Sequence, residues 1–353
     1  MFFDNDINVN VNIVKEDEGY VPTPSSTGIP TENMLAPRGF DEFIGQEDAK
    51  RAIRTELEIA IKYDKPFPHT LMLGYAGLGK STLVSLIAQN LGTKTYSLTA
   101  PVKENVWFDI TGQMDNDNYN GLTTPQIIYL DEIHLQEGKQ EFMYTCLQDL
   151  IIYHRGEPLK VPPFTLMGAT TDEGELSAPF LQRFEFQIFL HPYSIDELSI
   201  IANQSLGRLK ILYNTDITIG DGVAGKMAGM SWGTPRLVNK YLKQAFKIAL
   251  FKKEDVITTD IFNEVLARFC LTPEGINKKE LTYLDILYRI FNGEPKGLAT
   301  IASVLQENSK TVMKYIEPHL IRNELIMATP RGRQITDKGV EYIEKYEHMI
   351  GRS

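Results

Sequence analysis

The run Gly74-Tyr-Ala-Gly77-Leu78-Gly79-Lys80-Ser81 comes directly after the apolar residues 70–73 and ahead of a segment whose Leu83, Leu86, Ile87 and Leu91 recur at helical spacing. A G-x-x-x-x-G-K-S loop between a strand and a helix is a phosphate cradle, and it commits the chain to an α/β architecture. Gly74, Gly77 and Gly79 permit the tight dihedrals that turn successive N–H groups inward onto phosphates. Lys80 adds a point charge, Ser81 offers a hydroxyl to Mg²⁺, and Leu78 and Thr82 complete the nucleotide-binding run. Gly92 is placed to stop the helix that follows.

Such a loop serves kinases, GTPases and motors alike, so the other half of the site has to decide. Residues 127–130, Ile-Ile-Tyr-Leu, read as a buried parallel strand that delivers Asp131 and Glu132 at its C-terminal edge. Asp131 is expected in the Mg²⁺ shell, and Glu132 is expected to orient and polarise an attacking water. That pairing suits hydrolysis of ATP.

The chain of 353 residues is long enough for two or three domains. It has no run of eighteen apolar residues and no basic-then-apolar leader, so neither a membrane span nor a secretory signal is expected, and a cytoplasmic protein is the default. Cys146 and Cys270 stand far apart without metal-ligand spacing and read as core thiols. The formal charge is −10, but residues 271–353 carry 12 basic against 11 acidic side chains, leaving 24 against 35 in the rest. A relatively basic C-terminal part fits a nucleic-acid contact confined to it, and a solvated surface explains it about as well.

Four regions follow. Residues 1–30 pair acidic side chains with Pro, Ser and Gly and read as a flexible arm; within it Ile7, Val9, Val11 and Ile13 alternate with polar residues and would form a strand only beside a partner edge. From 31 to 192, strand candidates at 70–73, 127–130, 164–167 and 186–190 alternate with helical patterns at 47–63 and 140–152, which predicts a parallel sheet covered on both faces. Residues 193–270 turn helical from a capping-box start at Ser194-Ile-Asp-Glu197, as a small lid. In 271–353, helices at 282–291, 298–305 and around Val312, Ile316 and Leu320 precede two short strands flanking Thr329-Pro-Arg331-Gly-Arg333. Three helices and a hairpin describe a winged helix, with Arg331 and Arg333 at the wing as candidate DNA contacts.

From Pro37 to this wing the chain resembles the RuvB family, AAA+ motors that drive branch migration of Holliday junctions. The resemblance spans about residues 35 to 340. It rests on Phe43-Ile-Gly45-Gln46, the phosphate loop, Asp131-Glu-Ile-His134, residues 162–171 (Pro-Pro-Phe-Thr-Leu-Met-Gly-Ala-Thr-Thr), Gly233-Thr-Pro-Arg236, Glu317-Pro-His-Leu-Ile321 and Thr329-Pro-Arg331-Gly-Arg333. It implies an AAA+ P-loop sheet domain with a helical lid and a C-terminal winged helix. It also implies Thr171 as sensor 1, Arg183 as an arginine finger reaching the neighbouring subunit's nucleotide, Arg236 as sensor 2, and Tyr193 with Phe43 and Ile44 around the adenosine.

The departures are Ala36 and Leu181 where the family has Arg, and Asp172-Glu173 after Thr171. The stretch 150–161 is also several residues shorter than the family hairpin that docks RuvA, so a different protein partner is expected. Together these mark a divergent relative, of the sort a virus or mobile element carries. The expectation is an ATP- and Mg²⁺-dependent motor, a homo-oligomer forming a hexameric ring, acting on branched or duplex DNA through the winged helix. The competing reading is a clamp-loader-like or switch ATPase that remodels or positions a protein partner.

Overall fold

In the computed structural model the chain is described over residues 11–12, 33–119, 125–136, 140–154 and 157–351. Two compact units emerge, residues 1–215 with 231–242 and residues 216–230 with 243–353. Ile7, Val9, Ile13 and most of the expected arm lie outside the described residues.

The first unit is built on a six-stranded sheet: β1 (Val11–Asn12), β2 (Thr70–Leu73), β3 (Thr95–Thr99), β4 (Gln126–Asp131), β7 (Phe164–Thr170) and β8 (Phe186–Phe189), separated in the chain by a hairpin of β5 (Ile151–His154) and β6 (Glu157–Lys160). The strands run parallel in the order β1-β3-β4-β7-β2-β8. Every residue of β2 and β7 is buried, on both alternating faces, as expected for a parallel sheet covered on each side. The edge that the arm's alternation called for is β3, where Val11 lies opposite Tyr96 and Asn12 opposite Ser97.

The helices of this unit are α1 (Glu47–Tyr63), α2 (Lys80–Leu91), α3 (Glu104–Tyr119), α4 (Gln140–Asp149), α5 (Ala178–Leu181) and α6 (Ile195–Tyr213). Gly92 ends α2 in a left-handed conformation, φ 62°. Trp107, Ile110 and Met114 of α3 pack with Met143 and Cys146 of α4 and with Phe164, Phe180 and Phe184 in one core. Sequence periodicity ran the 140–152 helix into β5; the structure stops α4 at Asp149, and Leu150 turns left-handed at φ 52° to start the hairpin. Ser194 and Glu197 close the capping box at the start of α6. Farther along, Arg208 donates to the Leu35 carbonyl at 2.9 Å and to Glu42 Oε2 at 2.7 Å. These bonds join α6 to the first unit, so the span expected as one lid is divided between the two units.

The second unit contains α7 (Val223–Gly229), the C-terminal part of α8 (Pro235–Lys252), α9 (Thr259–Arg268) and a parallel pair of β9 (Thr218–Ile219) with β10 (Val256–Ile257). It continues through α10 (Lys278–Asp285), α11 (Leu298–Leu305), α12 (Ser309–Thr311), α13 (Glu317–Arg322), the antiparallel β11 (Ile326–Thr329) and β12 (Gly332–Ile335), and α14 (Asp337–Tyr346). Leu281, Leu284, Ile301, Val312, Ile316, Leu320, Ile335 and Ile343 share one buried core. Helices followed by a wing are thus present as the pattern predicts. Cys270, expected inside, is exposed: it sits just past α9 in a left-handed position, φ 52°. Cys146 is buried, and desolvation pushes its thiol up to about 12.

Candidate nucleotide site and nucleic-acid interface

The strand order brings three chain segments to one edge. Because β7 lies between β4 and β2, the residues after β2 (the phosphate loop), after β4 (Glu132) and after β7 (Thr171) leave the sheet side by side at its C-terminal ends. This is where parallel α/β sheets bind ligands.

The loop has the backbone its sequence requires. Gly74, Gly77 and Gly79 adopt φ of 148°, 84° and 105°. A Cβ would stand 2.8 Å from the Leu190 carbonyl at Gly74, 2.8 Å from Arg236 Cβ at Gly77 and 3.1 Å from the Phe43 ring at Gly79. Only glycine leaves room there for backbone N–H groups to approach phosphates. Lys80 opens α2 with its ammonium donating to the carbonyls of Gly74 at 2.6 Å and Tyr75 at 3.1 Å. Burial lowers its pKa, while Glu132 and Asp131 act to raise it. Ser81 is exposed at the helix N-terminus, and Thr82 is half-buried behind it.

At the end of β4, Asp131 Oδ1 accepts from the Tyr129 hydroxyl and from the Glu132 N–H, both at 3.1 Å. Buried beside these carboxylates, the Tyr129 phenol is held far above its ordinary pKa, chiefly by desolvation. Glu132 is left-handed at φ 50°, and its Oε2 accepts the Thr171 hydroxyl at 3.0 Å and the Thr171 N–H at 3.4 Å. Among the described residues no group of three or more His, Cys, Asp or Glu could hold a metal. Asp131 at the end of β4 and the Ser81 hydroxyl in the first turn of α2 are both oxygen donors, the type that a hard cation takes.

Around the loop, Phe43 and Tyr193 are buried, Ile44 is half-buried, and the Tyr193 hydroxyl donates to the Leu78 carbonyl at 3.2 Å. The Arg236 N–H donates to Gly77 O at 3.4 Å, which brings that arginine's backbone against the cradle while its side chain stays exposed. Arg183 lies just past α5, half-buried, on a turn anchored by Phe180, which is fully buried and meets Phe184 edge to face at 5.3 Å.

Sequence reasoning gave no role to His134 or Gln46, though both lie in quoted motifs. His134 Nδ1 is 2.9 Å from Thr170 Oγ1 and 3.4 Å from Glu132 Oε2. Thr170 Oγ1 also donates to the Asp172 carbonyl at 3.1 Å and accepts the Asp172 N–H at 2.9 Å, which joins the imidazole to the end of β7 in one network. Gln46 clasps His191, donating to its carbonyl at 2.6 Å and accepting its N–H at 3.1 Å. No local pattern marks either contact, since the partners are 36 and 145 residues away.

In the second unit the two wing arginines differ in their contacts. Arg331 is exposed at the tip of the β11–β12 hairpin. Arg333, expected beside it as a DNA contact, donates from Nε and Nη2 to the two oxygens of Glu317 at 2.9 and 3.1 Å. Glu317 is 3 % exposed, and a carboxylate so buried requires a charged partner.

Comparison with known proteins agrees with this geometry over both units. Residues 35–190 match the family described as the Holliday junction DNA helicase RuvB P-loop domain, and residues 273–344 match the RuvB C-terminal winged helix domain. The Holliday junction branch migration complex subunit RuvB of Oenococcus oeni is 34% identical over 330 residues, covering 91% of this chain and 94% of that protein. That of Flavobacterium psychrophilum is 31% identical over 351 residues, covering 97% and 98%. The solved structure of the Thermotoga maritima RuvB Holliday junction branch migration motor aligns with a TM-score of 0.72 at 30% identity, covering 88% of this chain and 98% of that one. No helix among the described residues is long and apolar enough to cross a membrane.

Proposed function

The chain belongs to the RuvB family, and on that footing we propose that it is an ATP-hydrolysing AAA+ motor that moves branched or duplex DNA during recombination. The observation that carries the reading is the meeting of Glu132 with Thr171 at 3.0 Å, beside a phosphate loop whose glycines leave no room for a Cβ.

ATP is held through the backbone of Gly74, Gly77, Leu78 and Gly79, the Lys80 ammonium, and the hydroxyl of Ser81 with Thr82 behind it. The adenosine packs against Phe43, Ile44 and Tyr193. Ser81 and Asp131 would hold Mg²⁺, which would supply charge neutralisation on the phosphates. Glu132 orients and polarises the attacking water, and Thr171 fixes the direction in which that carboxylate points. Arg183 of one subunit stabilises charge at the nucleotide of the next in a hexameric ring, and Arg236 carries the nucleotide's state into the start of α8.

Arg331 on the wing holds DNA phosphate, a contact that positions without reading sequence. The β5–β6 hairpin presents Tyr153, 52% exposed, and Leu159, 36% exposed, to a protein partner other than RuvA. The test is ATPase rate against junction, duplex and single-stranded DNA at low and moderate salt, where junction or duplex should stimulate turnover and salt should weaken the effect. A rate indifferent to all three DNAs but raised by a protein partner would replace the motor with a switch ATPase.

A further inference from the structure

We propose that Glu317 is a positioning residue for the wing: it engages the guanidinium of Arg333 in an internal fork, sets the angle of the hairpin and leaves Arg331 as its phosphate contact. This rests on reading the winged helix as DNA-binding.

Glu317 opens α13, and its carboxylate accepts hydrogen bonds from two directions. Oε1 accepts Arg333 Nε at 2.9 Å and the hydroxyl of the fully buried Tyr283 at 2.7 Å, while Oε2 accepts Arg333 Nη2 at 3.1 Å. A planar guanidinium that already gives two parallel N–H groups to a carboxylate has its charge neutralised and its best donor edge occupied. Three of its five N–H groups remain, but its charge is already offset, which weakens its pull on a phosphate.

The main chain holds the same strand from the other side. Lys296 N–H donates to Arg333 O at 3.0 Å and Arg333 N–H donates to Lys296 O at 2.8 Å. The approach is close enough that a Cβ on Gly332, at φ 131°, would stand 2.2 Å from Lys296 O. At the tip, the Thr329 hydroxyl donates to Gly332 O at 2.8 Å and Arg331 N–H donates to Thr329 Oγ1 at 3.3 Å. β12 is therefore fixed by backbone at Lys296 and by side chain at Glu317, and the turn beyond it projects one exposed cation.

The consequence is an electrostatic count. Each phosphate neutralised on B-DNA contributes about 0.9 to the slope of log K against log salt. A wing using both arginines contributes twice as much as the structure allows.

The experiment measures binding of the full chain to a fluorescent duplex over a series of salt concentrations, with amide exchange of Ile326–Thr329 reporting whether the wing persists. Arg331→Ala should flatten the slope by about one. The neutral pair Glu317→Gln with Arg333→Gln, which leaves no buried charge unpaired, should keep the wild-type slope. Glu317→Gln alone should steepen it, by up to about one, as Arg333 loses its countercharge. A neutral pair that flattens the slope as Arg331→Ala does, with the wing amides still protected, overturns the proposal. If the pair loses that protection, Glu317→Gln decides: a steeper slope supports the proposal and an unchanged one overturns it. Should Arg331→Ala also leave slope and affinity unchanged, the DNA reading of this unit falls, and the proposal falls with it.

Discussion

Glu132 and Thr171, 39 residues apart in the chain, meet through a hydroxyl-to-carboxylate hydrogen bond of 3.0 Å at neighbouring strand ends. The threonine donates and the glutamate accepts, so the carboxylate that would polarise water has its direction set by the strand beside it.

Replacing Glu132 with Gln keeps size and removes the basic oxygen. Nucleotide binding should persist while turnover falls by a factor of about 10² to 10⁴. Thr171→Val should lower kcat with little change in the KM for ATP, because it removes orientation and leaves the cradle intact. Phosphate release and binding of a fluorescent nucleotide measure the two quantities. A Glu132→Gln chain that hydrolyses at the wild-type rate refutes the assignment.

Gly79→Ala should weaken nucleotide binding about tenfold or more, since φ 105° is costly for any side chain and the added methyl meets the Phe43 ring at 3.1 Å. Adding Phe43→Leu relieves the contact but not the backbone strain, so binding should stay weak. Full recovery in the double variant would place the penalty in the ring contact alone.

Arg183→Ala should cut turnover by about 10³ or more while each subunit still binds ATP. Mixing Arg183→Ala subunits with Glu132→Gln subunits should restore a fraction of activity, because some seams then pair an intact Glu132 with an intact Arg183. Mixed oligomers as inactive as either parent argue for action within one subunit. Phe180→Ala, which empties a fully buried site beneath that turn, should cost about 3–5 kcal/mol in unfolding and lower turnover as well.

The Glu42 carboxyl is held below its ordinary pKa, first by the Arg38 backbone N–H and then by the Arg208 guanidinium. A pKa depressed on folding contributes stability that is complete above the unfolded value and is lost as pH falls through the folded one. The melting temperature of Glu42→Gln should therefore lie below wild type above about pH 5, and the gap should close as pH drops below about 4. With a side chain 44% exposed, water screens the pair and the effect should be small, on the order of 0.5 kcal/mol. A gap that widens in acid contradicts the assignment.

Much of the fold was legible in short windows. Residues 47–63, 70–73 and 298–305 form elements at the bounds their periodicity predicts. The missed elements had weaker local signals. β3 (Thr95–Thr99) alternates polar and apolar residues throughout but is only five residues long, and α3 carries Gly112 and a polar end over residues 115–119 that blur its period. α14 follows the wing with Gly339 inside it, a position where a Cβ would stand 2.1 Å from Leu325 O. That glycine serves tertiary packing, and a helix pattern read alone treats it as a breaker.

Local chemistry determined the phosphate loop, the Asp131–Glu132 strand end, the capping box at Ser194 and the hairpin of the wing, because each is specified by residues within a few positions of one another. Only the tertiary structure decided which groups each charged side chain meets. Strand order put Thr171 against Glu132, and helix packing put Glu317 under Arg333, turning one of two apparently equivalent wing arginines into an internal strut. Pairing of this kind depends on which distant segments become neighbours and on how deeply a charge is buried, and neither quantity is written in the spacing of a motif.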